Sequence, residues 1–165
     1  MSGKNLLCAR KIEKNNSFQA QCVCEFYQHN ISALHGKKVS LNEWISVLSS
    51  DDLDEQNFLI YKLTTPVAWL KINGLLNADT AWISMLVVED GFHKQGAGQF
   101  AVDFAEKYVK GKGIHTLGIH TTEDNIPAKN LYIKCGYSIM ECSGCTTGDG
   151  VSRKGYTFVK NISIG

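Results

Sequence analysis

Several things are scarce in this chain, and each scarcity removes a class of function. Net charge is only +1, with 17 Lys and Arg against 16 Asp and Glu. There is no basic excess of the kind that spreads over a nucleic-acid surface. No apolar run approaches the length that spans a bilayer, so no membrane partner is expected. The first residues, MSGKNLLCARKIEKNN, hold no apolar stretch long enough for a secretion signal, which makes a cytoplasmic location the expectation. Internal repeats, low-complexity tracts and linkers are missing too. What is there is 165 residues, 44% hydrophobic and 20% charged. That is ordinary for one globular domain over residues 1–165 with a real core.

Six cysteines need a reading: Cys8, Cys22, Cys24, Cys135, Cys142 and Cys145. Without a secretion signal, free thiols are the expectation. Cys142 and Cys145 have C-x-x-C spacing, and Cys22 with Cys24 could complete a metal site. Zinc sites usually pair two close-spaced knuckles, whereas the first pair here is C-x-C on a predicted helix. Independent packing cysteines and no metal are therefore expected.

Apolar periodicity orders the elements. Leu6 to Ile12 reads as a strand. Ser17 to Leu34 carries Phe18, Cys22, Phe26, Tyr27, Ile31 and Leu34 at helical spacing and stops at Gly36. Ser40 with Glu43 forms a capping box for a helix through Leu48. Phe58 to Leu63 and Val67 to Ile72 form a hairpin around Thr64-Thr65-Pro66. Thr80 to Val88 is a longer β-branched and aromatic strand. Gly96 to Lys110 is an amphipathic helix with Phe100, Phe104, Tyr108 and Val109 inward, ending at Gly111. Ile114 to Thr121 is a strand and Ile126 to Lys134 a short helix with Pro127 in its first turn. Tyr137 to Glu141 and Tyr156 to Ile162 close the chain as strands joined by a loop, SGCTTGDGVSRKG. This order predicts a mixed sheet with helices on both faces.

Two segments carry chemistry. Leu86 to Gly98, LVVEDGFHKQGAG, reads as strand, turn, then glycines opening a helix. That arrangement aims backbone N–H groups at an anion. Asn125 to Tyr137, NIPAKNLYIKCGY, puts a phenol, Tyr132, on a short helix. A phosphate cradle and a proton donor suggest transfer of a group carried on a phosphorylated cofactor.

The region from about Trp82 to Glu141 resembles the GNAT superfamily of N-acetyltransferases. Their cofactor loop, Arg/Gln-x-x-Gly-x-Gly/Ala, is matched at His93-Lys94-Gln95-Gly96-Ala97-Gly98, with His in the first place. Their later pattern is matched at Asn125, Ala128, Leu131, Tyr132, Lys134, Gly136 and Tyr137. The resemblance implies an α/β (α+β) fold: a mixed, mostly antiparallel twisted sheet of about seven strands flanked by about four helices. It implies acetyl-CoA as acyl donor and direct transfer to a primary amine through a tetrahedral intermediate. The N–H groups of residues 93 to 98 would cradle the pyrophosphate, with Lys94 adding charge. Leu86, Val87 and Val88, on a strand bulged and splayed from its neighbour, would pair with the pantetheine amides. Asn125 would touch the pantetheine arm or cap its helix. Tyr132 would be the general acid, a phenol near pKa 10 protonating a thiolate near 8.5.

The base stays open at this level. Asp79 precedes the central strand, and Glu89 follows it as an expected exposed turn residue. A water held near Ser84 is preferred, with His115 and His120 as packing or surface residues. The acceptor, a small-molecule or peptide amine, should lie against Asn30 to Val39 and the last hairpin loop. The acidic run Asp51-Asp52-Leu53-Asp54-Glu55 could attract a polycation or be a solvated loop. A homodimer is compatible with the sequence. A catalytically silent CoA-binding or regulatory module is the alternative function.

Overall fold

The computed structural model describes residues 6–163. The chain runs β1 (Leu7–Lys11), α1 (Ser17–His29), α2 (Ile31–Leu34), α3 (Leu41–Leu48), β2 (Gln56–Lys62), β3 (Thr65–Asn73) and β4 (Thr80–Val88). It continues through α4 (Ala97–Gly111), β5 (Thr116–Thr122), α5 (Ile126–Lys134), β6 (Ser138–Thr146) and β7 (Ser152–Asn161). The strands form a seven-stranded sheet in the order β1-β2-β3-β4-β5-β7-β6. Only β4 and β5 run parallel; the other neighbours are antiparallel. The architecture is the mixed, mostly antiparallel sheet expected, with five helices, one of them the four-residue α2.

Two cores form because the sheet has two apolar faces. On one face α4 presents Ala97, Ala101, Val102, Ala105 and Val109. These small side chains let the helix lie close to Leu70, Ile72, Ile83, Leu117 and Phe158, and α5 adds Tyr132 to the same cluster. On the other face α1 and α3 cover β2, β3 and the end of β4, with Trp44 edge-on to both Tyr27 and Trp69. Among the described residues, the cluster under α1 and α3 takes no side chain from β5, β7 or β6, so no helix covers those strands on that second face.

Four features differ from the sequence reading by more than a shifted end. The first helix breaks at Asn30, whose side-chain amide donates to the Phe26 carbonyl at 2.8 Å, and the chain turns left-handed at His35. Phe18 points outward, 61% exposed, because Gln19 takes the inward place and accepts from the Glu13 N–H at 2.7 Å. The first hairpin turns at Leu63 and Thr64, since Lys62 pairs with Thr65, so Thr65 and Pro66 belong to β3. The last hairpin is much longer than expected, and only Thr147 to Val151 connects β6 to β7. All of β6 is exposed at the sheet edge, so burial left no alternating pattern to read.

The long hairpin settles the C-x-x-C question. Cys142 pairs with Tyr156 and Cys145 with Arg153. Residues three apart on a strand face opposite ways, so the two thiols lie on opposite sides of the sheet. All six cysteines are free thiols. Among the described residues no three His, Cys, Asp or Glu side chains gather as a metal site, and no helix is long and apolar enough to cross a membrane. Mild oxidation at low protein concentration should therefore leave Cys142 and Cys145 unlinked to each other, as read by alkylation and peptide mass spectrometry. A Cys142–Cys145 disulfide would contradict the register of β6.

Candidate active site

The parallel pair at the centre of the sheet is incomplete. Thr80 to Ile83 of β4 pair with Thr116 to Ile119 of β5, and there the pairing ends. Beyond it, β4 stays with β3 through Val88 while β5 stays with β7 through Thr122. A bulge lies at the divergence: Ile72 faces Ile83 and Lys71 faces Met85, leaving Ser84 without a partner. The extra residue changes the side-chain parity of β4. Ala81 and Ile83 pack under α4, as do Leu86 and Val88 further on, while Met85 and Val87 turn to the opposite core. The strand is thus split open along Ser84 to Val88, where it meets no strand on the β5 side. Unpaired backbone groups inside a sheet must find another partner.

The opening leads to the start of α4. Lys94 has φ 59° and Gly96 φ 88°, so two left-handed residues curl the chain just before the helix. Among the described residues no acceptor is bonded to the backbone N–H groups of residues 93–98. Curled runs of free N–H groups at a helix start form an anion-binding concavity. Nothing lies within 4 Å of where a Gly96 Cβ would be, so the concavity is open. A Cβ on Gly98 would come within 3.0 Å of Leu131, which explains glycine there. Gln95 pins the loop, accepting from Lys62 Nζ at 3.0 Å and donating to the Gly91 carbonyl at 2.8 Å. His93 is 51% exposed and only 3.7 Å from Asp90. These groups suit a pyrophosphate, and the open β4 edge suits a linear chain of amides.

Tyr132 stands on α5, 5% exposed, its ring edge-on to Tyr137 and Phe158. Burial pushes its phenol well above the ordinary range, with nearby Cys135 adding to the effect. Asn125 caps α5, accepting from the Ala128 N–H at 3.3 Å.

On the other face, sequence reasoning missed three features. Glu89 is no exposed turn residue. Its carboxylate is 14% exposed and lies 2.8 Å from His29 Nδ1. His120 is stacked flat on Trp82, ring centres 4.5 Å apart and planes 8° from parallel. Gly118 makes room for that stack, since a Cβ there would sit 2.3 Å from the indole. Third, His35 Nε2 meets Asp124 Oδ2 at 2.7 Å, and the His35 carbonyl accepts from the Asp149 N–H at 2.9 Å. The segment after α2, the β5–α5 loop and the tip of the last hairpin are thereby tied together over the end of β5. Thr122 and then His35 hold the Asp124 carboxyl below its usual range by hydrogen bonding to it. None of these three is marked by a local sequence pattern, because each joins residues from distant elements.

Other expected groups have structural work. Ser84 donates to Asn73 and to the Lys71 carbonyl. In the acidic run, Asp51 pairs with Lys14, Asp54 accepts from the N–H groups of Gly74 and Leu76, and Glu55 lies 3.1 Å from Lys71. Asp54 and Glu55 are thus engaged within the fold, while Asp51 and Asp52 stay exposed.

Comparison with known proteins agrees with this geometry. The Acetyltransferase (GNAT) family matches residues 21–137. A streptothricin acetyltransferase from Escherichia coli is 30% identical over 97 residues, which is 56% of this chain and 53% of that protein. The match thus spans about half the length of that relative. Among solved structures, a spermidine N-acetyltransferase from Vibrio cholerae in complex with CoA and spermine superposes with a TM-score of 0.81 at 14% identity, covering 96% of each chain. The structure of yncA from Salmonella typhimurium with its cofactor acetyl-CoA gives 0.77 at 10% identity, covering 98% of this chain and 96% of that one. Motif, fold and open central strand converge, and the chain belongs to the acetyltransferase (GNAT) family.

Proposed function

We propose that the protein moves an acetyl group from acetyl-CoA directly to a primary amine. The observation that carries this reading is the continuity between the unpaired edge of β4 and the free N–H groups of residues 93–98. Bound there, acetyl-CoA would supply an acyl carbon already activated as a thioester. Leu86, Val87 and Val88 would hold the pantetheine arm through their backbone, with Asn125 beside it. His93, Lys94, Gln95, Gly96, Ala97 and Gly98 would hold the pyrophosphate. An N–H of the open strand would meet the thioester carbonyl, where fixed donors stabilise developing negative charge.

Tyr132 is the proton donor to the departing sulfur. Burial keeps its phenol protonated throughout the working pH range, so a proton is always present to give. The same burial makes it a reluctant acid. Its transfer is therefore coupled to C–S cleavage, which is the step that makes the sulfur basic. The acceptor side is the opposite face, where no helix covers β5, β7 and β6. Streptothricin is the first acceptor to try, because the curated relative is named for it. Spermidine and a peptide amine widen the search.

CoA release from acetyl-CoA against these amines, with a no-acceptor control for the protein's own thiols, tests the reading. Amine-dependent release is expected. Tight binding without release would leave the silent CoA-binding module standing, and no binding would remove the cofactor assignment. Tyr132→Phe should lower kcat by roughly 10²-fold or more while changing acetyl-CoA affinity little by calorimetry; unchanged kcat removes Tyr132 from the chemistry. Gly96→Ala forces a side chain into a left-handed conformation that costs on the order of 1–3 kcal/mol. Weaker acetyl-CoA binding with the fold intact by circular dichroism is expected. Wild-type affinity in that variant would speak against the loop as the phosphate site.

A further inference from the structure

We infer that His120 is the group that takes the proton from the attacking amine, and that the cavity beside it seats the amine-bearing end of the acceptor. This rests on the acetyl-transfer reading. Ile119 is the last residue of β5 paired to β4, so His120 stands at the point where the two strands part, level with the bulge at Ser84. It is exposed on the face that no helix covers. Its ring is held on two sides: flat against Trp82, and by Nδ1 3.0 Å from the Thr157 hydroxyl, on a residue only 7% exposed. With Nδ1–H donating to Thr157, the free lone pair is on Nε2. A ring fixed in orientation with one nitrogen free is what a general base requires.

The cavity, of about 170 Å³, is lined by His120, Thr122, Ser143, Cys145, Gly155 and Thr157 among others. Gly155 opens it, since a Cβ there would crowd Cys145 Sγ at 3.2 Å. The other groups considered for the base have partners of their own: the Ser84 hydroxyl, read as the holder of a water, donates to Asn73, and Glu89 is bonded to His29 beyond the far end of β4. The titratable and charged groups sharing this side with His120 are Glu141, which pairs with Thr157, the Cys145 thiol, Arg153 opposite it, bonded to Asp149 at 2.8 Å, and Asp124, bonded to His35.

The step balances. As the new N–C bond forms and the C–S bond breaks, the nitrogen gives up one proton to His120 Nε2, and Tyr132 supplies one to the sulfur that leaves with the bonding pair. Solvent then removes the proton from His120 and restores that of Tyr132.

The test combines two readouts on the full chain. In histidine-labelled protein, the His120 ring signals, assigned with His120→Gln, should shift when acetyl-CoA is added. CoA release is then followed against pH with streptothricin as acceptor, or with water as the nucleophile if streptothricin is not used. His120→Gln should bind acetyl-CoA within about twofold of wild type but turn over roughly 10²-fold more slowly, and it should lose the acidic limb of the kcat/KM profile. Thr157→Val should displace that limb with a smaller loss, and it carries the test if His120→Gln does not fold. Unmoved ring signals, or variants that keep both the wild-type rate and the acidic limb, would overturn the assignment. If the wild type binds no acetyl-CoA, it is the cofactor reading that fails.

Discussion

The rest of the structure depends on one interruption: the hydrogen bonding between β4 and β5 stops at Ile83 and Ile119. A parallel pair at the centre of a sheet ordinarily continues to the strand ends, because every backbone group left unpaired inside a fold costs free energy. Here each strand keeps its outer partner, β3 for β4 and β7 for β5, so the gap opens without unravelling the sheet. A gap edged by free N–H and C=O groups calls for a ligand that is itself a string of amides. Trp82 sits one rung before the interruption, laid over Gly118 and against His120.

The bulge at Ser84 gives the opening two sides. By shifting parity it lets β4 feed both cores, Leu86 and Val88 toward α4, Met85 and Val87 toward α1. The α4 side carries the curled loop with free N–H groups and the phenol of α5. The opposite side carries β5, β7 and the exposed β6, together with the His35–Asp124 tie. On the proposed reading, donor and acceptor would therefore approach a single point from opposite faces. That is what direct transfer between two bound molecules demands.

The sequence was most legible where periodicity and turn chemistry are strong. β4 and α5 have the bounds expected, and the glycine-rich loop opens α4 as read. Boundaries failed where side chains from elsewhere decide them. Asn30 ends α1 by bonding back to Phe26 and reaching the Val88 carbonyl, 58 residues on. β6 has no buried face to announce it. Glu89 was read as an exposed turn residue and His120 as a packing or surface residue, since nothing in the nearby sequence shows that one meets His29 or that the other stacks on Trp82. The segments proposed for the cofactor are one contiguous strand and loop, which a linear reading can find. The face proposed for the acceptor is assembled from β5, β6, β7 and three separate loops, which it cannot.

The central claim is that the open edge of β4 and the loop before α4 are one continuous binding surface for acetyl-CoA. Amide hydrogen exchange with and without acetyl-CoA tests it most directly, since free N–H groups exchange readily until a ligand engages them. The account predicts new protection concentrated in residues 84–88 and 93–98, with little change in β1, β2 and the last hairpin. Binding that leaves both segments unprotected, or that protects the face of β6 and β7 instead, would contradict it.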